Sequence, residues 1–128
     1  MLKKLNKEKS LKGKMGEDAA ADILMKKGYE IVKRNYFSAF GEIDIIAKKA
    51  DELIFVEVKS RKYDSVEEPA QAVTPSKQKK IIKTAERYLE ENENDLFPRF
   101  DVIEIYFATS GYKILGYNHI PNAFYKMT

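Results

Sequence analysis

Three charged side chains, Asp44, Glu57 and Lys59, interrupt two otherwise apolar runs between Gly41 and Arg61 (GEIDIIAKKADELIFVEVKSR). Asp44-Ile45-Ile46 and Leu53-Ile54-Phe55-Val56 are rich in β-branched and aromatic residues, and Lys48 to Glu52 break them, which predicts a hairpin. Side chains two apart on a strand share a face, so Glu57 and Lys59 point one way and Val56 and Val58 the other. A turn centred near Ala50 sets Asp44 opposite Glu57, and all three charges then converge on one side of the sheet. Two carboxylates and an ammonium among Val and Ile are costly to bury without a purpose. The chemistry this trio suits is cation binding and attack on an anionic substrate. The plain alternative is a wet Glu-x-Lys ion pair of little consequence.

Composition narrows the choice. The 128 residues predict a single domain, 1–128, with one core; 44% are hydrophobic and 34% charged. There is no cysteine, so thiolate metal sites, disulfides and cysteine nucleophiles are excluded, and the lone His119 excludes multi-histidine zinc sites. Any metal is therefore a hard cation held by carboxylates, Mg²⁺ or Mn²⁺. No run is long enough for a membrane span, and the basic start MLKKLNKEKS lacks the apolar stretch of a secretory signal, so a cytoplasmic protein away from membranes is expected. The net charge of +3 permits a polyanionic partner. Lysines crowd two places, Lys3 to Lys14 and Lys77 to Lys83, where the plain reading is a solvated helix face.

The elements that must position the trio follow from periodicity. Leu11, Met15, Ala19, Ile23 and Leu24 recur at helical spacing, predicting a helix over Lys7 to Lys27 that stops at Gly28. Projected at about 100° per residue, Met15, Gly16, Ala19, Ala20, Ile23 and Leu24 face the core. Glu17 falls at the rim of that arc, as a solvated acid or one placed beside whatever the helix packs on. Gly13 and Gly16 each cost roughly 1 kcal/mol in a helix and would let a sheet or a phosphate come close. Tyr29 to Tyr36 predicts a strand, Ser38 to Gly41 a turn, and Lys62 to Thr74 a loop suited to contacting substrate. Thr74-Pro75 opens a second helix, with Thr as N-cap, ending by Asn92; Gln78 lies on its inward side. Arg99 to Phe107 and Tyr112 to Asn118 predict a second hairpin, and His119 to Phe124 a closing turn or short helix. His119 has no partner acid at a readable spacing, so an ordinary packed or exposed histidine is expected.

Several motifs carry a resemblance. GEIDIIA (Gly41–Ala47), FVEVKSR (Phe55–Arg61), AVTPSKQKKI (Ala72–Ile81) and RFDVIEI (Arg99–Ile105) resemble the YraN-like family of small bacterial proteins, and Gly13–Tyr36 and HIPNAF (His119–Phe124) are similar to it too. That family resembles archaeal Holliday-junction resolvases and the restriction-endonuclease-like, PD-(D/E)xK fold. The resemblance implies an α/β fold with an αβββαβ core, a mixed sheet flanked by helices and an extra C-terminal strand. It implies that Asp44 and Glu57-Val58-Lys59 are the nuclease motif, with Ile43 where Pro often stands, and that Glu17 is the helix acid of the resolvases.

The expected activity is Mg²⁺- or Mn²⁺-dependent hydrolysis of DNA phosphodiesters, branched or junction DNA among them. Asp44, Glu57 and the Val58 carbonyl would hold the metal, Glu17 would complete or support the shell, and Lys59 would orient water or stabilise charge. Lys77, Gln78, Lys80, Arg61, Lys12 and Lys14 are the expected nucleic-acid contacts. A junction has two strands to cut, which makes a homodimer attractive. The alternatives are a non-catalytic nucleic-acid-binding module that keeps the fold, and a protein-interaction domain whose lysine-rich faces bind acidic partners.

Overall fold

Apolar β-branched runs in the middle of the chain build a sheet that both helices cover. The computed structural model describes residues 10–64 and 73–125, in the order α1 (Leu11–Lys26), β1 (Glu30–Ser38), β2 (Gly41–Lys49), β3 (Glu52–Lys62), α2 (Pro75–Glu91), β4 (Phe97–Phe107) and β5 (Ile114–Phe124). The five strands lie in sequence order. Only the β3–β4 pairing is parallel, because α2 crosses over between those strands. This is the expected α/β architecture, an αβββαβ order with one further strand.

The two faces have separate cores. Ala20, Ala21 and Leu24 of α1 pack with Ile45, Ala47, Ile54, Val56, Ile103 and Ile105. Ile81, Ala85 and Tyr88 of α2 pack with Ile43, Ile46, Leu53, Phe55, Phe100 and Phe124 on the other side. Covered on both faces, β2 and β3 carry continuous apolar runs with no alternation.

Local chemistry sets the ends. Ser10 caps α1, its Oγ accepting from Gly13 N–H at 3.0 Å, while the expected start at Lys7 lies outside the described residues. A Cβ at Gly16 would collide with Ser60 Oγ, so this glycine lets α1 press onto β3. Thr74 caps α2 as expected, with Pro75 in its first turn. β3 runs on to Lys62, and most of the expected Lys62–Thr74 loop, residues 65–72, lies outside the described residues.

One element differs from expectation. His119 to Phe124 is not a turn or short helix but the second half of β5, where Ile120 pairs with Val102 and Phe124 with Phe100. An edge strand tolerates Pro121 because its outer side needs no N–H, and an irregularity between Phe100 and Val102 absorbs it. Phe124 also stacks on Phe100 at 5.2 Å between centroids.

Candidate active site

The β2–β3 ladder sets a register in which Ile45 faces Val56 and Lys49 faces Glu52 around the two-residue turn Ala50-Asp51. One step further, Asp44 comes opposite Glu57, and there the ladder ends. β2 stays paired with β1 to its end at Gly41, and β3 stays paired with β4 to Lys62. The sheet therefore forks between β2 and β3. The Val58 N–H left without a strand partner donates to Asp44 Oδ2 at 2.8 Å. A residue's N–H and C=O leave a strand on the same side, so the Val58 carbonyl faces the same gap.

The fork opens a cavity of about 380 Å³ lined by Glu17, Glu42, Asp44, Glu57, Val58, Lys59 and Lys77, among others. Asp44 and Glu57 are 7% and 4% exposed, so both carboxylates are buried yet border open space. Burial first, and the neighbouring Asp44 charge second, push the Glu57 carboxyl up to about 7. Lys77 opposes this, its Nζ 2.6 Å from Glu57 Oε2.

Glu17 is not at the rim of its helix arc but buried at 2% exposure. Arg34 Nη2 and Asn35 Nδ2 donate to its Oε1 at 3.0 and 2.9 Å, and Arg34 also reaches Asp18. Asn35 does so from a left-handed backbone, φ 55°, that Asn tolerates better than most residues. Glu17 thus borders the cleft while turned toward β1. Among the described residues no three acids or histidines form a group that could hold a metal ion.

The expected nucleic-acid contacts divide. Lys77 lines the cleft; the other five do not. Gln78 Nε2 donates to the Val73 carbonyl and lines a second groove on α2. Lys80 lines a third pocket, and Lys14 is exposed on α1. Lys12 Nζ lies over the rings of Phe107 and Tyr112 at 5.6 and 5.8 Å. Arg61 is turned inward, its Nε 2.7 Å from the fully buried Glu104 Oε2, an arrangement unsuited to contact with a ligand in solvent. Its partner comes from β4 across a parallel crossover, which no spacing in the chain announces. Sequence reasoning misses Glu42, although its parity with Asp44 on β2 puts it on the same face; Arg34 and Asn35 carry no such signal.

A further buried acid, away from the cleft, lies on the α1 face of β4. Asp101, fully buried, accepts from Arg99 Nε and Nη2 at 2.9 and 2.8 Å and from Asn122 N–H at 3.1 Å, and lies 2.8 Å from His119 Nε2. His119 therefore has an acid partner after all, one strand away. Burial pushes the Asp101 carboxyl up, but the hydrogen bonds from His119, Arg99 and Asn122 outweigh it and hold it below its ordinary value.

The model of the uncharacterised protein family UPF0102 matches residues 16–105. A UPF0102 protein of Clostridioides difficile is 47% identical over 120 residues, 93% of this chain and 98% of that protein. One from Caldanaerobacter subterraneus subsp. tengcongensis is 42% identical over 124 residues, 96% of this chain and all of that protein. One from Dictyoglomus thermophilum is 45% identical over 113 residues, 88% and 95% of the two chains. The matched span takes in α1 from Gly16 on, the fork and α2.

Proposed function

We propose that this chain, which belongs to the uncharacterised protein family UPF0102, the YraN-like proteins, is a metal-dependent endonuclease that hydrolyses DNA phosphodiester bonds in the cytoplasm. Branched or junction DNA, as for the resolvases its motifs resemble, is the substrate class we favour. One observation carries the reading: two carboxylates in electrostatic conflict, with an ammonium beside them, line the floor of an open cleft at a fork in the sheet.

The donor set suits a hard dication. Asp44 and Glu57 oppose each other strongly enough to raise the Glu57 carboxyl, and Lys77 offsets only part of that charge. Asp44, Glu57 and the Val58 carbonyl would hold Mg²⁺ or Mn²⁺, with Glu17 as support from the α1 side. Bound there, the cation would lower the pKa of a water and stabilise charge on the scissile phosphate. Lys59, two residues beyond Glu57, donates to the attacking water or to a phosphate oxygen. Lys77 releases Glu57 and takes a neighbouring phosphate oxygen; its side chain is 47% exposed, with room to swing. Asp44 keeps the fork in shape through its bond to Val58 N–H.

The test is cleavage of a flapped or four-way DNA with Mn²⁺. Wild type should cut, and Asp44→Asn and Glu57→Gln should bind the DNA without cutting. Equal nicking by wild type and Glu57→Gln would remove the enzyme reading. A second reading, a DNA-binding module without turnover, draws support from the Lys77–Glu57 pair and from the lack of a three-acid group among the described residues. Binding without cleavage in any divalent metal would select it. A homodimer would let two forks address two strands, and sedimentation of the protein with and without junction DNA reads this directly.

A further inference from the structure

The β1–β2 turn carries an exposed aromatic ring beside three lysines. Ser38 pairs with Gly41, so Ala39 and Phe40 form the two-residue tip of that hairpin. A pocket of about 360 Å³ at the tip is lined by Ala39, Phe40, Ser76, Lys79, Lys80 and Lys83, with no carboxylate among them. Phe40 is 48% exposed, and Lys83 Nζ lies 5.4 Å from its ring centroid. Among the described residues none of the three lysines is in an ion pair.

The ring is exposed, but its backbone is held. Phe40 N–H donates to Ser38 Oγ at 3.0 Å, Ser38 Oγ donates to Thr84 Oγ1 at 3.1 Å, and Thr84 Oγ1 donates to the Lys80 carbonyl at 2.8 Å. Thr84 is fully buried, so this chain of bonds fastens the tip to α2. An exposed Phe alone is unremarkable. An exposed ring on a held backbone, beside a pocket whose charged lining is lysine alone, with Glu86 only in the neighbouring groove, is an arrangement suited to unpaired nucleotides, with the base on the ring and the backbone on the lysines. Duplex phosphates alone would use the cations and leave the ring idle. The same strand then leads to the cleft: Glu42 and Asp44 follow Phe40 on β2, and at about 3.3 Å per residue Asp44 lies roughly 13 Å along it.

We propose that this pocket is a base-stacking subsite, in which Phe40 takes the face of an unpaired nucleobase and Lys79, Lys80 and Lys83 take the flanking phosphates. It deepens the nuclease reading and rests on it: the substrate that reaches the fork carries a single-stranded stretch, as a flap or an opened junction arm does.

The chain has no tryptophan and eight tyrosines, so Phe40→Trp places a single indole at the tip, excited selectively at the red edge of the absorption band. With metal chelated, the indole emission of that variant should fall saturably on titration with an unpaired oligonucleotide or a tailed duplex. Phe40→Ala should weaken binding of those probes roughly tenfold or more, and of a blunt duplex less than about twofold. Unchanged indole emission at oligonucleotide concentrations that saturate binding by anisotropy would overturn the subsite, as would an equal response to polyglutamate, which would mark the patch as a site for acidic protein. Cleavage is read separately. Mn²⁺-dependent cutting that Glu57→Gln abolishes, without a response from the indole reporter, sinks the stacking proposal alone. A reporter response without cleavage supports the subsite and removes the hydrolase.

Discussion

Asp101 and Glu57 are both acids buried on adjacent strands of one sheet, and their surroundings treat them in opposite ways. Asp101 is closed in and over-provided: a guanidinium, an imidazole and a backbone N–H all address it, and its carboxyl is held below the ordinary value. Glu57 faces a second carboxylate across a gap, receives one movable lysine, and its carboxyl is pushed up to about 7. Burial alone therefore does not distinguish a structural acid from a reactive one. The balance of nearby charge does, together with whether space for a ligand remains.

The contrast can be broken most decisively by mutation. Asp101→Ala leaves the half-buried Arg99 with Glu52 alone and takes the acid partner from the buried His119, and should lower unfolding free energy by about 3 kcal/mol. Asp44→Asn relieves a repulsion while its amide oxygen can still accept from Val58 N–H, and should change unfolding free energy by less than about 1 kcal/mol. Equal losses in urea melts would erase the distinction.

Metal addition sharpens it. Mn²⁺ at a hundred times its dissociation constant should stabilise wild type by about 2.7 kcal/mol, read as a rise in Tm. Asp44→Asn should show no rise, and His119→Gln should keep it in full. A rise retained by Asp44→Asn would place the ion elsewhere.

The pH dependence of the metal-free protein should have opposite signs at the two acids. A raised folded pKa means that the stabilising contribution of Glu57 is present at pH 4 and is lost as pH rises through about 7, and Glu57→Gln should remove that loss. The change is on the order of 2 kcal/mol. Asp101 has a lowered folded pKa, so its contribution is present above 3.8 and is lost as pH falls further. Stability rising from pH 5 to 8 in wild type but not in Glu57→Gln would contradict the crowding of Glu57 and Asp44. The smallest effect belongs to Lys77→Ala, which should change stability by less than about 1 kcal/mol for so exposed a partner while raising the Glu57 carboxyl further, measurable by carboxyl NMR titration.

The fork is legible in the chain because strand parity and a two-residue turn suffice to set Asp44 against Glu57. The Thr74 N-cap and the stop at Gly28, which takes a positive φ just after the C-cap Lys27, are local signals and equally plain. The rest depends on contacts between distant segments. Arg61 meets Glu104 and His119 meets Asp101 through β4, whose place in the sheet follows from a crossover that spacing does not encode. Glu17 escapes a helical projection because the projected arc is narrower than the surface α1 buries, with Gly16 bringing it down onto β3. Pro121 suggests a break, and only an edge position makes it compatible with β5.

Connectivity also orders assembly. β1, β2 and β3 meet through turns of two residues, whereas β4 can join β3 only after α2 has closed a long loop. The hairpin is thus expected to bring Asp44 and Glu57 face to face on the refolding chain before Lys77 arrives to separate their charges. Divalent cations present during refolding would then act as an early scaffold, quickening the step that the bare pair retards.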